Sequence, residues 1–456
     1  MMRLSEAAFA TRGQQVGADV EFCCVGTDSR AIKQGQLFVA LKGEHFDGHE
    51  YVSASLAQGA AAVLVSKVSN ASPAVQVEDT RLALGDLAAH WRAKFAMPVV
   101  AITGSNGKTT VKEMLASILR VEAGADASVL ATQGNFNNDI GLPLTMLNLR
   151  NHHRYAVLEM GMNHTGELSY LTQLAKPSIA VVNNAGSAHI GELGSVEAIA
   201  KAKGEIFEGL ANDGVAIINA DDAFAELWKK LASKQQQITF GLDAKADVTA
   251  TYVLGVVDSN IELLAPVGKA SFTLPAPGLH NVRNALAAAS AALALDVSLE
   301  SIAKGLSEFI GAKGRLQPMQ GFAGSKVIDD TYNANPMSMK AAVDVLKASK
   351  GKRIFVIGDM AELGDDAPNM HAEIGAYVKA AGIENLFALG KLSKIAVEAF
   401  GENATHFASV EALAVALKES MGSEVTVLVK GSRSMKMDRV VDAIQLTQTN
   451  NNGEKR

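Results

Sequence analysis

Short unbroken apolar runs alternate with helical spacings along most of this chain. VVAIT (99–103), YAVLEM (155–160), SIAVVNN (178–184) and GVAIIN (214–219) are rows of β-formers. Such runs mark strands covered on both faces of a parallel sheet. A strand-rich insertion at about 247–275 follows them, then an alanine-rich helix from about Asn281 to Leu295. Upstream, LFVAL (37–41), a helical pattern from Tyr51 to Gln58 and AAVLVS (61–66) form a smaller α/β unit. Leu84, Leu87, Ala88, Trp91 and Phe95 then fall at helical spacing, and Met97-Pro98 closes that helix. Downstream, RIFVIGDM (353–360), NLFALG (385–390) and TVLVKGS (426–432) alternate with helical patterns in a Rossmann-like manner. The glycine-punctuated FIGAKGRLQPM (309–319) reads as the hinge to that last unit. The expected fold class is therefore α/β in three domains, at residues 1–97, 98–312 and 313–456. These are a small N-terminal α/β domain, a central parallel-sheet P-loop domain and a C-terminal Rossmann-like domain.

Length agrees, since 456 residues suit about three domains of roughly 150 residues each. A hydrophobic content of 48% with 20% charged residues supports sizeable cores. A net charge of −6 without any basic block argues against a nucleic-acid surface, so an anionic substrate needs local cations. The two cysteines, Cys23 and Cys24, are adjacent and give no disulfide framework; two small buried hydrophobes in a reducing compartment are expected. The N-terminus has no apolar signal region and no window approaches 18 uninterrupted apolar residues, so a cytoplasmic location is expected. The tail QTNNNGEKR (448–456) is expected to fray.

Chemistry concentrates first at VVAITGSNGKTT (99–110). A strand that stops in a glycine turn and restarts as a helix aims several backbone N–H groups into one concavity at the positive end of the helix dipole. That arrangement binds phosphate. Gly104, Ser105, Asn106 and Gly107 form the turn, Lys108 supplies a point charge, and Thr109 and Thr110 supply hydroxyls, one of them suited to Mg²⁺. The pattern is a short one, G-x-x-G-K-T, because Ile102 stands where the eight-residue P-loop has glycine.

In a parallel sheet, functional groups gather beyond the carboxyl ends of the strands. Glu159 ends one strand and His189 follows another, a carboxylate and an imidazole placed for a divalent cation, or equally a capping and a structural residue. On the helix beginning near Ser195, Lys203 falls inside the apolar stripe of Ile199, Ile206, Phe207 and Leu210, while Lys201 points the opposite way. Such a lysine either snorkels or is a desolvated amine with a lowered pKa. A neutral amine can add CO₂ to become an anionic, metal-binding carbamate. In PGLHNVRNALAAA, Asn281 and Asn284 share one helical face beside His280, so their amides could read a purine edge; N-capping is the alternative for Asn281.

Together GSNGKTT, Glu159 in LEMGMNHTGEL, His189 in AHIGELGS, Lys203 in AKGEIF, HNVRNA, Arg315 in KGRLQP and DDTYNANP resemble the Mur ligase family of ATP-dependent peptide synthetases. The resemblance runs almost end to end. Within the family, DDTYNANP (329–336), GDMAELG (358–364), KGSRSMKMD (430–438) and QGNFNNDIGLPLT (133–145) look like the members that add D-alanyl-D-alanine. The resemblance implies a UDP-sugar domain, a central ATPase domain and a C-terminal domain carrying part of the amine site. It implies ATP and two Mg²⁺ ions as cofactors, with UDP-MurNAc-tripeptide and D-Ala-D-Ala as small-molecule partners; a monomer that neither enters a membrane nor binds nucleic acid is expected.

It also implies residue roles. Lys108 and Thr109 would hold phosphates and the first Mg²⁺; Glu159 and His189 would serve the metals, and a carbamylated Lys203 the second Mg²⁺. Asn281 and Asn284 would face adenine, Arg315 the γ-phosphate, and Asp330 the nucleotide. Ser29 and Arg30, in Thr27-Asp28-Ser29-Arg30, would meet the uridine diphosphate unless Arg30 is only a surface ion pair. Asn135, Asn138, Asn333 and Asn335 would meet substrate. Closure of the last domain by bending near Gly311–Gly314 would shield the reaction from water. The rival readings are a folylpolyglutamate-synthase-like amide ligase, a P-loop regulatory NTPase and a Rossmann dehydrogenase; the last lacks a G-x-G-x-x-G after a strand in the third segment.

Overall fold

The computed structural model describes residues 1–66, 71–186, 190–255 and 257–446. The N-terminal part builds a five-stranded sheet in the order 14–16, 74–76, 62–65, 36–39 and 24–26. Its last four strands pair in parallel and Gln14–Val16 pairs antiparallel. Helix Thr80–Arg92 begins on Asp79, whose carboxylate accepts the Arg81 and Leu82 N–H groups at 2.7 and 3.0 Å. Its apolar face carries Leu84, Leu87 and Trp91 into the core that also contains Leu142 and Met146 of the next part. Trp91 Nε1 donates to the Leu149 carbonyl at 3.1 Å, so these two parts share one apolar interior.

The central sheet has six parallel strands in the order 236–240, 215–219, 179–182, 99–103, 155–159 and 129–131. Alternation divides its side chains between two layers. Val100 and Ile102 pack with helices Lys108–Ala123 and Leu279–Leu293, whereas Val99 and Ala101 pack with the layer holding Leu168, Leu171 and Ile199. Three antiparallel strands, 249–254, 259–265 and 268–274, make the expected insertion. The C-terminal sheet runs 317–320, 326–330, 425–430, 352–358, 385–389 and 404–407, parallel except for the first pair.

Several expectations change in detail. The alanine-rich helix spans Leu279–Leu293, starting at Gly278 with φ +91°. The helix after Ser195 stops at Gly204 and tightens into a 3₁₀ segment, Glu205–Gly209. Strands 129–131, 236–240 and 404–407 had no distinct apolar run to announce them; all three are short edge strands with mixed exposure. Cys23 is exposed and Cys24 half-buried, because Cys24 opens the edge strand Cys24–Gly26; the expected burial of this pair is not found. The tail 448–456 lies outside the described residues. Among the described residues no helix is long and apolar enough to cross a membrane.

Candidate active site

Strand Val99–Thr103 ends at the middle of the central sheet, and residues 104–107 turn it into helix Lys108–Ala123. The neighbouring strand Ile179–Val182 delivers Asn183 and Asn184 against that turn. Asn106 donates its N–H to Asn184 Oδ1 at 2.8 Å, while its carbonyl accepts from the Asn183 and Asn184 amides at 3.0 and 3.1 Å. Ser105 Oγ donates to the Gly186 carbonyl at 3.2 Å and accepts the Gly186 N–H at 2.8 Å. The turn is thus held by side chains and backbone from the end of the neighbouring strand. Gly107 has φ +79°, and a Cβ there would sit 2.3 Å from Asn284 Oδ1 and 2.5 Å from Asn183 Nδ2. Gly107→Ala is therefore expected to push the loop off its supports and lower nucleotide turnover by about tenfold or more. Steady-state ADP release checks this, and wild-type turnover would contradict it.

Lys108 folds back, donating to the Gly104 carbonyl at 2.6 Å. Burial lowers its pKa, Glu159 opposes that fall, and Arg315 adds to it. Glu159 is 1% exposed at the end of its strand. Its carboxylate accepts from Thr109 Oγ1 at 2.7 Å and from Asn137 Nδ2 at 2.8 Å. Arg315 reaches in from the junction to the last domain and donates from Nη2 to Thr109 Oγ1 at 2.9 Å. Lys203, also 1% exposed, has no hydrogen bond or ion pair among the described residues. Burial first, and Lys108 second, hold its pKa well below the usual lysine range. Lys201, by contrast, pairs with Glu197 at the surface at 2.8 Å. The two lysines separate as their spacing requires.

The C-terminal unit closes the opposite wall. Asp330 and Lys430 end two adjacent strands, and Lys430 Nζ donates to Asp330 Oδ2 at 2.6 Å and to the Asn333 carbonyl at 2.9 Å. Burial raises the Asp330 pKa against the pull of Lys430. Facing them, burial together with Lys430 and Arg283 pushes His280 down to about 4, so its ring is neutral at pH 7. Asn335 caps helix Pro336–Lys347 through a box with Ser338 and also donates from Nδ2 to Asn106 Oδ1 at 2.8 Å. This bond fastens the last unit to the phosphate loop. Asn335→Ala is expected to cost about 1 kcal/mol through the lost cap alone; chemical denaturation checks it, and an unchanged midpoint would contradict it.

The loop, Asp330 and the helix starting at Leu279 enclose a cavity of about 1260 Å³ that also reaches Arg81 of the N-terminal unit. The remaining expected site residues are placed by their hydrogen bonds and exposure. Asn281 Nδ2 donates to the Pro277 carbonyl, and Asn284 Nδ2 donates to Asn281 Oδ1, so neither amide caps the helix. Asn284 Oδ1 accepts from Asn183, tying this pair to the loop. Asn138 spends its side chain on the Ile140 and Gly141 N–H groups, and Asn333 on the Ala334 N–H. Asn135 is an exposed residue of the cavity wall. Asn137 is the residue of that run that touches Glu159, and nothing in QGNFNND singles it out from its neighbours. Ser29 and Arg30 do not line the cavity; Arg30 is an exposed partner of Asp28 at 2.8 Å, the surface pair allowed for in the sequence. Thr110 lines the cavity, and His189 lies outside the described residues. Asn183, Asn184 and Lys430 were not anticipated as site residues, although Lys430 opens the KGSRSMKMD run.

A phosphate-binding turn, a buried carboxylate beside its threonine and an arginine from a third unit define an α/β enzyme acting on a phosphorylated ligand. Comparison with known proteins supplies the family. The Mur ligase middle-domain model matches residues 102–292, the Mur ligase glutamate ligase domain 314–433, and the Mur ligase family catalytic domain 21–92. The chain belongs to the Mur ligase family. It is 43% identical to the UDP-N-acetylmuramoyl-tripeptide–D-alanyl-D-alanine ligase of Escherichia coli K12, covering 97% of this chain and 98% of that one. It is 38% identical to the Bacillus subtilis enzyme of the same name, covering 91% and 92%. A crystal structure of MurF from Acinetobacter baumannii superposes with a TM-score of 0.90 at 39% identity, covering 96% of this chain and 97% of that one. MurF from Thermotoga maritima in complex with ADP superposes at 0.81 with 28% identity, covering 92% and 96%.

Proposed function

We propose that this chain uses ATP to join D-alanyl-D-alanine to UDP-N-acetylmuramoyl-tripeptide, making the UDP-MurNAc-pentapeptide of peptidoglycan synthesis. The observation that carries this reading is near-full-length likeness, at 43% identity, to a ligase named for that reaction. The likeness to a mycobacterial folylpolyglutamate synthase, at 16% identity, concerns the fold alone and does not favour the alternative. In this reading residues 1–97 hold the UDP-sugar, 98–312 hold ATP, and 313–456 bring the dipeptide.

The residues present fit a polyphosphate. Among the described residues Asn106 Nδ2 and Arg315 Nε are buried donors without a partner, and a bound anion would satisfy both. They also fit Mg²⁺. The Glu159 carboxylate and the Thr109 hydroxyl are hard oxygen donors, and the described residues hold no cluster of three or more acidic, histidine or cysteine ligands. Such a sparse set suits an ion completed by water and phosphate oxygens. Held by Thr109 and Glu159, Mg²⁺ would supply positive charge to offset that of the phosphates. A second ion would rest on His189 and on Lys203 as a carbamate, formed when the neutral amine adds CO₂ and releases one proton.

A peptide carboxylate resists amines because oxide would have to leave. Transfer of the γ-phosphoryl group onto it makes an acyl phosphate, and the dipeptide amine then displaces phosphate. The first step brings two anions together, so positioning and charge do most of the catalysis. Lys108 would stabilise the transferring phosphoryl group, leaving the Gly104 carbonyl to do so. Arg315 would add its charge from the opposite side. Asn281 and Asn284 would line the adenine side while bracing the loop through Asn183. Asp330, already held by Lys430, would approach the nucleotide from the last unit, and Asn135, Asn138, Asn333 and Asn335 would border the peptide substrates. Phosphate release, measured with UDP-tripeptides carrying either diaminopimelate or lysine at position three, with and without the dipeptide, tests the reading. Release requiring both partners supports it; release indifferent to the dipeptide contradicts it.

A further inference from the structure

Two guanidinium groups share one aromatic ring where the site opens. Arg315 Cζ lies 4.1 Å from the centroid of Tyr332, and Arg433 Cζ lies 5.9 Å from the same centroid. All three residues line both the cavity of about 1260 Å³ and an adjoining one of about 1330 Å³. Arg315 is committed to Thr109 and the loop. Arg433 is not. Its side chain is 69% exposed, and its one ion pair among the described residues is with Asp438 at 3.9 Å, too long for a hydrogen bond. An exposed, weakly paired cation thus lines the same cavity as Lys108, Arg315 and the phosphate loop.

The ligase reading, on which this step rests, supplies an anion that these groups leave unmatched. The acceptor dipeptide carries its nucleophilic amine at one end and a carboxylate at the other. Two extended residues span about 7 Å. With their distances to one ring centre of 4.1 and 5.9 Å, the two guanidinium carbons are no more than about 10 Å apart, a range that includes this span. We propose that Arg433 receives the C-terminal carboxylate of the acceptor dipeptide, with Tyr332 as the spacer that sets its distance from the reacting end beside Arg315. A planar guanidinium offers paired N–H donors to a carboxylate, a geometry that a lysine cannot reproduce. The arrangement selects a dipeptide over single D-alanine, whose amine falls short when its carboxylate is seated on Arg433.

The test compares D-Ala-D-Ala with D-Ala-D-alaninamide, whose neutral carboxamide replaces the carboxylate, in wild type, Arg433→Leu and Arg433→Lys. Wild type is expected to prefer the carboxylate form by about tenfold to a hundredfold in kcat/KM, as one charge-assisted pair allows. In Arg433→Leu that preference should collapse to within about twofold of unity, through KM for the dipeptide, with KM for ATP unchanged. Arg433→Lys should keep part of it. An Arg433→Leu variant that retains the wild-type preference overturns the assignment, as does one that raises KM for ATP and leaves the preference intact. Wild-type enzyme that shows no dipeptide-dependent phosphate release removes the ligase reading instead, and this assignment with it.

Discussion

Lys108→Ala is expected to abolish ADP release while the chain stays folded. The ammonium is the cation nearest the floor of the phosphate loop, where its present partner is a single carbonyl at 2.6 Å. A bound triphosphate would offer it a charged partner at its half-buried place in the cavity wall. Charge stabilisation of this kind contributes about a hundredfold to a hundred-thousandfold to phosphoryl transfer, so turnover should fall at least a thousandfold or so. Helix Lys108–Ala123 keeps its apolar face in Val111, Met114, Leu115 and Ile118, so thermal unfolding should barely shift. Retained turnover would refute the role; a large loss of stability would mean that the residue was structural.

Lys203→Ala carries the second large effect. A buried lysine with no partner among the described residues is costly as a cation, and both burial and the neighbouring Lys108 favour its neutral form. If that amine is a carbamate in the working enzyme, removing it removes an anionic ligand. Activity should fall by about a hundredfold or more and return in part with short carboxylic acids that fill the vacated space. The sign with pH follows from the lowered pKa: the neutral amine, and with it carbamate formation, is favoured above the folded-state pKa and lost as pH falls through it. Wild-type activity in Lys203→Ala under CO₂-depleted buffer would dismiss the proposal.

The inner strands of the central sheet, 99–103, 155–159, 179–182 and 215–219, were legible because each carries an unbroken run of four apolar residues. The edge strands 129–131, 236–240 and 404–407 escaped because half-exposed strands carry no such run. Lys203 was legible through helical phase alone, since the turn at Ser195 sets which lysine faces inward. The asparagines were read less well. Asn137 and Asn138 are neighbours of identical type, yet one bonds Glu159 and the other accepts the Ile140 and Gly141 N–H groups of its own turn. Composition cannot separate these uses, because only the path of the turn decides which amide meets the carboxylate. Asn335 shows the same limit: its capping role is local, whereas its bond to Asn106 joins residues 229 apart.

One labelling experiment bears directly on the proposal that ATP energises the tripeptide carboxylate before the dipeptide amine captures it. UDP-tripeptide bearing oxygen-18 in its terminal carboxylate, turned over with ATP and D-Ala-D-Ala, should yield inorganic phosphate carrying one labelled oxygen for each amide formed. Unlabelled phosphate alongside amide product would contradict the account.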